Sequence, residues 1–201
     1  MKGLLEITST EVQNSTNKFN NDEIIQKTET LLWSLFKKFP ENKEPEEIAA
    51  KVLLIDRLYS TQIFKYKKIE FLSEVVENIR TITDFDERVK NGDPTVVCEI
   101  YRSFKTKMFS FATKYCCLHN TVVYGRDDYS IYDSAVHKLL PKYAKQVGEK
   151  LTGTQIERWK NTGDYKAFND AVDIVLDKAE IKIPGRKRKF DLFLWSQRNS
   201  L

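Results

Sequence analysis

From Asn21 to Ser196 apolar residues return every three to four positions, in segments of helical length interrupted by few of the chain's seven glycines and five prolines. That period puts the apolar residues of each segment on one face of an α-helix, whereas a half-buried strand would need strict alternation. Asn21 or Asp22 caps the first such segment, which aligns Ile24, Ile25, Thr28, Leu31, Leu32, Leu35 and Phe36, assigns Trp33 to the core and ends near Pro40. Pro45 opens a second segment through Ile48, Val52, Leu53, Ile55, Leu58 and Tyr59, closed by Ser60 and Thr61. A third is expected from about Ile69 to Ile79, with Phe71, Leu72, Val75 and Val76 buried, and a short one follows from Phe85 to Val89. After the Asn91, Gly92, Asp93, Pro94 turn, Thr95 to Lys107 is helical by spacing, and Phe109 to Leu118 is apolar enough to be buried nearly all round. His119 to Tyr132 lacks a sustained period and reads as a long loop, after which Asp133 caps a helix running towards Tyr143. Two last helices are expected over Tyr165 to Lys178 and Lys187 to Ser196, while residues 1–20 read as a polar, flexible lead. The fold class is all-α: one helical domain over 1–201, built as a bundle of two subdomains.

Composition narrows the classes further. With 41% hydrophobic and 31% charged residues the chain is neither disordered nor a turn-rich β-protein. No apolar run nears the roughly 20 residues of a membrane span, and the polar N-terminus lacks a signal-peptide core, so an intracellular location, cytoplasm or nucleoid or nucleus, is expected. Cys98, Cys116 and Cys117 form no paired framework and read as reduced, buried thiols. His119 and His137 do not complete a metal-ligand spacing with them, and no dinucleotide or phosphate-loop glycines occur, so neither metal nor cofactor is expected. A net charge of +4 permits nucleic-acid binding, and the basic residues gather at Lys65, Lys67 and Lys68 and at Lys182 and Arg186 to Lys189.

One constellation is specific. Ser110, Phe111, Ala112, Thr113 and Lys114 are followed by Asp133, nineteen positions after the lysine and preceded by Ile131 and Tyr132. This arrangement resembles the helix-hairpin-helix DNA glycosylases, in particular the 8-oxoguanine DNA glycosylase branch, in which a glycine-containing hairpin leads into the helix of a catalytic lysine and an aspartate begins a later helix. The resemblance covers about Leu53 to Tyr143. Ser110 and Ala112 stand where that family carries its two hairpin glycines, so the hairpin that grips the DNA backbone is altered here.

The resemblance implies two helical subdomains with a cleft between them, Lys114 and Asp133 at its mouth, and a DNA glycosylase with possible AP lyase action on an oxidised or otherwise modified base. The chemistry needs these residue types. A neutral lysine amine attacks the sugar C1′, and a carboxylate steadies the positive charge that develops as the base leaves. Phe109, Phe111, Tyr115 and Leu118 supply the apolar setting that favours a neutral amine. Further contacts to substrate or DNA are assigned to Gln62, Thr61, Lys65, Ser110, Thr113, His119 and Trp195. Gln62 is suited to fill the space of an extruded base and meet its orphaned partner. The implied partner is double-stranded DNA carrying a modified or damaged base, bound by a monomer and without a membrane. The competing reading is a non-catalytic helical nucleic-acid-binding or protein-interaction module, in which Lys114 and Asp133 form a structural ion pair.

Overall fold

The helical period is realised throughout: in the computed structural model, which describes residues 4–61, 63, 70–102 and 108–198, every regular element is an α-helix. In chain order these are α1 (Ser9–Asn20), α2 (Glu23–Lys38), α3 (Pro45–Tyr59), α4 (Glu70–Arg80), α5 (Phe85–Lys90), α6 (Thr95–Arg102), α7 (Phe109–Tyr124), α8 (Ser134–Gln146), α9 (Gly153–Thr162), α10 (Tyr165–Lys178) and α11 (Arg186–Ser196). Among the described residues no helix is long and apolar enough to cross a membrane. The helices fall into two compact units. The first comprises the described parts of Met1–Gln26 and Ser130–Leu201, and the second is Lys27–Tyr129.

The second unit is built on α7. Apolar residues on all sides of this helix leave it no solvent face, and Phe109, Phe111, Ala112, Tyr115, Cys116, Cys117, Leu118 and Val122 are all buried. Around Tyr115 stand Phe36 of α2, Phe85 of α5 and Phe111, with ring centroids at 6.2, 5.9 and 5.6 Å. Tyr101 of α6 meets Phe109 edge to face at 5.8 Å. Each such buried ring contributes about 1.5–3 kcal/mol of transfer free energy before ordering costs. The helix stops at Gly125, whose φ of 65° lets the chain turn back: Gly125 N–H donates to Thr121 O at 3.1 Å and Arg126 N–H to Asn120 O at 3.2 Å.

The first unit joins the two ends of its sequence. Tyr143 of α8 packs on Phe190 and Phe193 of α11, with centroids at 6.3 and 5.1 Å. Phe19 of α1 lies 5.2 Å from Trp195 of α11, and Ser15 and Ser196 share a 3.3 Å hydrogen bond. Lys187, although basic, is buried there by its pairing with Asp173 at 2.8 Å.

Several expectations are corrected. The lead is not a loose tail: Thr8 accepts from Glu11 N–H and starts α1, whose Val12 is fully buried. His119 to Tyr124 are helical, so the long loop begins only at Gly125; burial of His119, Asn120 and Val122 holds a helix that the local pattern does not specify. A helix not expected at all, α9, is set by a reciprocal box in which Thr152 accepts from Gln155 N–H and the Gln155 side chain accepts from Thr152 N–H. On α2 only Leu32 and Phe36 are buried, whereas Ile24 is 78% and Leu31 67% exposed. Trp33, assigned to the core, is instead 37% exposed. The expected continuations at Ile69 and from Ser103 to Lys107 lie outside the described residues.

Candidate functional site

Lys114 sits in the second turn of α7, and the local sequence forces it inward. Its neighbours Thr113 and Tyr115 are fully buried, and the lysine itself is only 4% exposed. The amine meets a polar and an aromatic surface. Nζ donates to Ser110 Oγ at 2.9 Å, one helical turn back, and stands 6.0 Å from the centroid of the Tyr59 ring at the end of α3, at the outer edge of cation–π range. Thr113 donates its hydroxyl to the Ser110 carbonyl at 3.0 Å, and Ala112 N–H donates to Met108 O at 3.0 Å, so the first turn of α7 is closed. Ser110 and Ala112 are therefore helical residues, with no left-handed backbone at either position.

Tyr59 is a member of this group that sequence reasoning did not assign. It leads directly into the turn expected to fill the space of a lost base. Ser60 closes α3 in the left-handed conformation, φ 49°, and Asp56 holds the turn by accepting from the Thr61 hydroxyl at 2.6 Å and from Ile63 N–H at 2.8 Å. Thr61, two residues after Tyr59 in the chain, is thereby tied to Asp56, while Gln62 and Lys65 lie outside the described residues.

His119 is placed differently, in a buried polar cluster of the same unit. Its Nε2 lies 3.0 Å from Asp86 Oδ1, and its Nδ1 has no hydrogen-bond partner among the described residues. Donation from Nε2–H to the Asp86 carboxylate leaves Nδ1 as a bare lone pair, less costly to bury than a bare N–H. Burial pushes the imidazole down, and the Asp86 hydrogen bond offsets only part of that. Burial likewise pushes Asp86 up, but hydrogen bonds from His119 and from Asn42 outweigh it and hold the carboxyl below its ordinary value.

Asp133 and Trp195 belong to the first unit. Asp133 is extended, φ −150°, and its Oδ1 accepts from Val136 N–H at 2.9 Å, the N-cap of α8 that the sequence pattern requires. Trp195 is 39% exposed, with Phe19 on one flank and the Arg198 guanidinium 3.2 Å above its ring. Beside Asp133, Tyr132 contacts Phe168 edge to face at 5.7 Å, and its hydroxyl lies 3.4 Å from His137 Nδ1. Burial pushes the Tyr132 phenol up to about 12, so it is neutral and can donate a hydrogen bond at physiological pH. Among the described residues no group of three or more His, Cys, Asp or Glu side chains is arranged to hold a metal ion.

Sequence comparison places the chain in a family. The family HI_0787_N, described as an N-terminal domain, matches residues 11–127, more than half of the chain. A protein of Haemophilus influenzae, named as uncharacterized, is 30% identical over 154 residues, which cover 75% of this chain and 65% of the relative. The chain thus spans less than two thirds of that relative's length. No solved structure matches it. The chain belongs to the HI_0787_N family, and the matched stretch contains Thr61, Ser110, Thr113, Lys114 and His119 but ends before Asp133 and Trp195.

Proposed function

We propose that this HI_0787_N-family protein is a DNA glycosylase, with an accompanying lyase action, that removes an oxidised or otherwise modified base from double-stranded DNA by forming a Schiff base on Lys114. The observation that carries the reading is the burial of the Lys114 amine at the start of α7, against Ser110 Oγ and the Tyr59 ring. A lysine put there for solubility would carry its nitrogen outwards. Attack on C1′ needs the neutral form of the amine, the form with a lone pair to give.

In the reaction so proposed, the Nζ lone pair forms a bond to C1′ while the C1′–base bond breaks and the base leaves with its electron pair, gaining a proton. Opening of the sugar ring gives an imine between Nζ and C1′. Loss of a proton from C2′ then expels the 3′ phosphate and nicks the strand. Asp133 is the carboxylate that the resemblance assigns to the charge developing on the sugar. Lys114 and its closest neighbours lie within the stretch that matches the HI_0787_N family.

Borohydride trapping on a panel of duplexes carrying modified bases tests this directly. Wild type is expected to form a covalent adduct with at least one of them, Lys114→Gln none, and Asp133→Asn much less than wild type. Adducts that persist in Lys114→Gln, or a wild-type protein that cuts a modified duplex without ever being trapped, overturn the assignment. Plain abasic DNA is a poor substrate for the test, because its aldehyde reacts with many exposed amines.

A further inference from the structure

Within the Lys114 group one side chain has no counterpart in the pattern that the constellation resembles. Ser110 stands where the glycosylases carry a hairpin glycine, which offers no side chain; here a hydroxyl occupies the position and receives the lysine amine at 2.9 Å. We infer that Ser110 is the positioning residue for Lys114, fixing the amine at the first turn of α7 and relaying the proton it sheds as the Schiff base forms; this inference rests on the glycosylase reading.

Three observations carry it. The first is registration: Ser110 and Lys114 are four residues apart on one helix, so both side chains lie on the same face. The second is rigidity. The Ser110 backbone is pinned by the Thr113 hydroxyl on its carbonyl, at 3.0 Å, and by the 3.0 Å bond from Ala112 N–H to Met108 O across the turn. The hydroxyl is thus held by the fold, and it in turn holds an amine at the end of four rotatable bonds. The third is the gradient of exposure. Ala112, Thr113 and Tyr115 are buried and Ser110 is half-buried, so the hydroxyl that receives the buried amine is itself partly open to solvent.

The chemistry of the hydroxyl suits both states of its partner. A serine oxygen has two lone pairs to accept from an ammonium and one proton to donate to a neutral amine, so the contact survives proton loss. In the glycosylase reaction the hydroxyl accepts the proton from nitrogen and passes its own to the ring oxygen as that oxygen leaves C1′; with a free sugar aldehyde the same relay serves the oxygen that leaves as water. Atoms balance as amine plus aldehyde giving imine plus water. Fixing the nitrogen in an attacking geometry is where the rate is gained.

The test uses the full chain, 2-deoxyribose 5-phosphate as the aldehyde and cyanoborohydride, which delivers hydride to the imine and makes the C–N bond permanent. Labelling at Lys114 is followed by peptide mass spectrometry. Ser110→Ala, a substitution that helices favour, is expected to slow Lys114 labelling about tenfold. Ser110→Thr, which restores the hydroxyl, is expected to stay within about twofold of wild type, and labelling of other lysines should not change. Wild-type rates in Ser110→Ala, an equal fall in Ser110→Thr, or no labelling of Lys114 in the wild type each overturn the inference. The two readings fail separately. Hydroxyl-dependent labelling by the sugar with no trapped duplex removes the glycosylase function and keeps the role of Ser110, whereas duplex trapping at an unchanged rate in Ser110→Ala removes Ser110 and keeps the function.

Discussion

Asn42 joins three helices of the second unit. Its Oδ1 accepts from Lys51 Nζ of α3 at 3.2 Å and from the Tyr115 hydroxyl of α7 at 2.5 Å, while its Nδ2 and backbone N–H donate to the Asp86 carboxylate of α5 at 2.6 and 3.0 Å. Asp86 in turn receives His119 of α7. Lys51 is the costly member. It is fully buried, donates also to Glu41 O at 2.7 Å, and removal from water pushes its pKa down to about 8 against the weaker pull of Asp86, Glu47 and Glu41. Between that value and the ordinary 10.5 the unfolded chain binds more protons than the folded one, so this lysine's contribution to stability rises with pH across the interval. Buried Cys116 and Tyr115, both pushed up, act in the opposite direction at alkaline pH, so the quantity to follow is the difference between wild type and Lys51→Met. Urea unfolding from pH 7.5 to 9.5 is expected to show that difference moving in favour of wild type, by at most roughly 1.4 kcal/mol per pH unit. The position was half legible. Lys51 falls between Ile48, Val52 and Ile55 on the buried register of α3, which marks a lysine where none is comfortable. Its partners were not legible, because they come from loops and helices that only the tertiary fold brings together.

At the scale of elements, the start of α8 separates structure from chemistry. Asp133 earns a place in any stable version of this fold simply as an N-cap, through its 2.9 Å bond from Val136 N–H. Asparagine caps nearly as well as aspartate and alanine does not, so Asp133→Ala is expected to lose about 1 kcal/mol in urea denaturation and Asp133→Asn only a few tenths. A loss of trapping in Asp133→Asn without a loss of stability then belongs to the carboxylate. Helices with a clean apolar stripe and a capping residue were readable from sequence, and the bounds of α3 at Pro45, α10 at Tyr165 and Lys178 and the cap of α8 agree with that reading. Those that failed are instructive. The single buried apolar residue of α1 is Val12, and α9 likewise buries only Ile156, so neither has the periodic stripe that identifies a helix; their caps alone mark them. The last turn of α7 failed for the opposite reason, since burial there overrides a local preference against helix.

At the scale of the whole molecule, the two units differ in how their sequence is used. The second is one continuous stretch, Lys27–Tyr129, and the family match of residues 11–127 covers nearly all of it. The first is assembled from the two flanks, with α1 on α11. Deleting residues 1–20 removes the buried Val12 and the Phe19 contact with Trp195 and is expected to cost about 3 kcal/mol or more. Hydrogen exchange should then show protection lost in α11 and retained in α7. This discontinuity also sets an order of events during synthesis. Ser15 must wait for Ser196, 181 residues later, before its hydrogen bond can form, a delay of about 10–40 s at ordinary translation rates. Once Tyr129 has been added the stretch bearing Lys114 is complete, and for the roughly 3–13 s that synthesis then needs to reach Ser196 a ribosome-bound chain can close its second unit while α1 still has nothing to pack against.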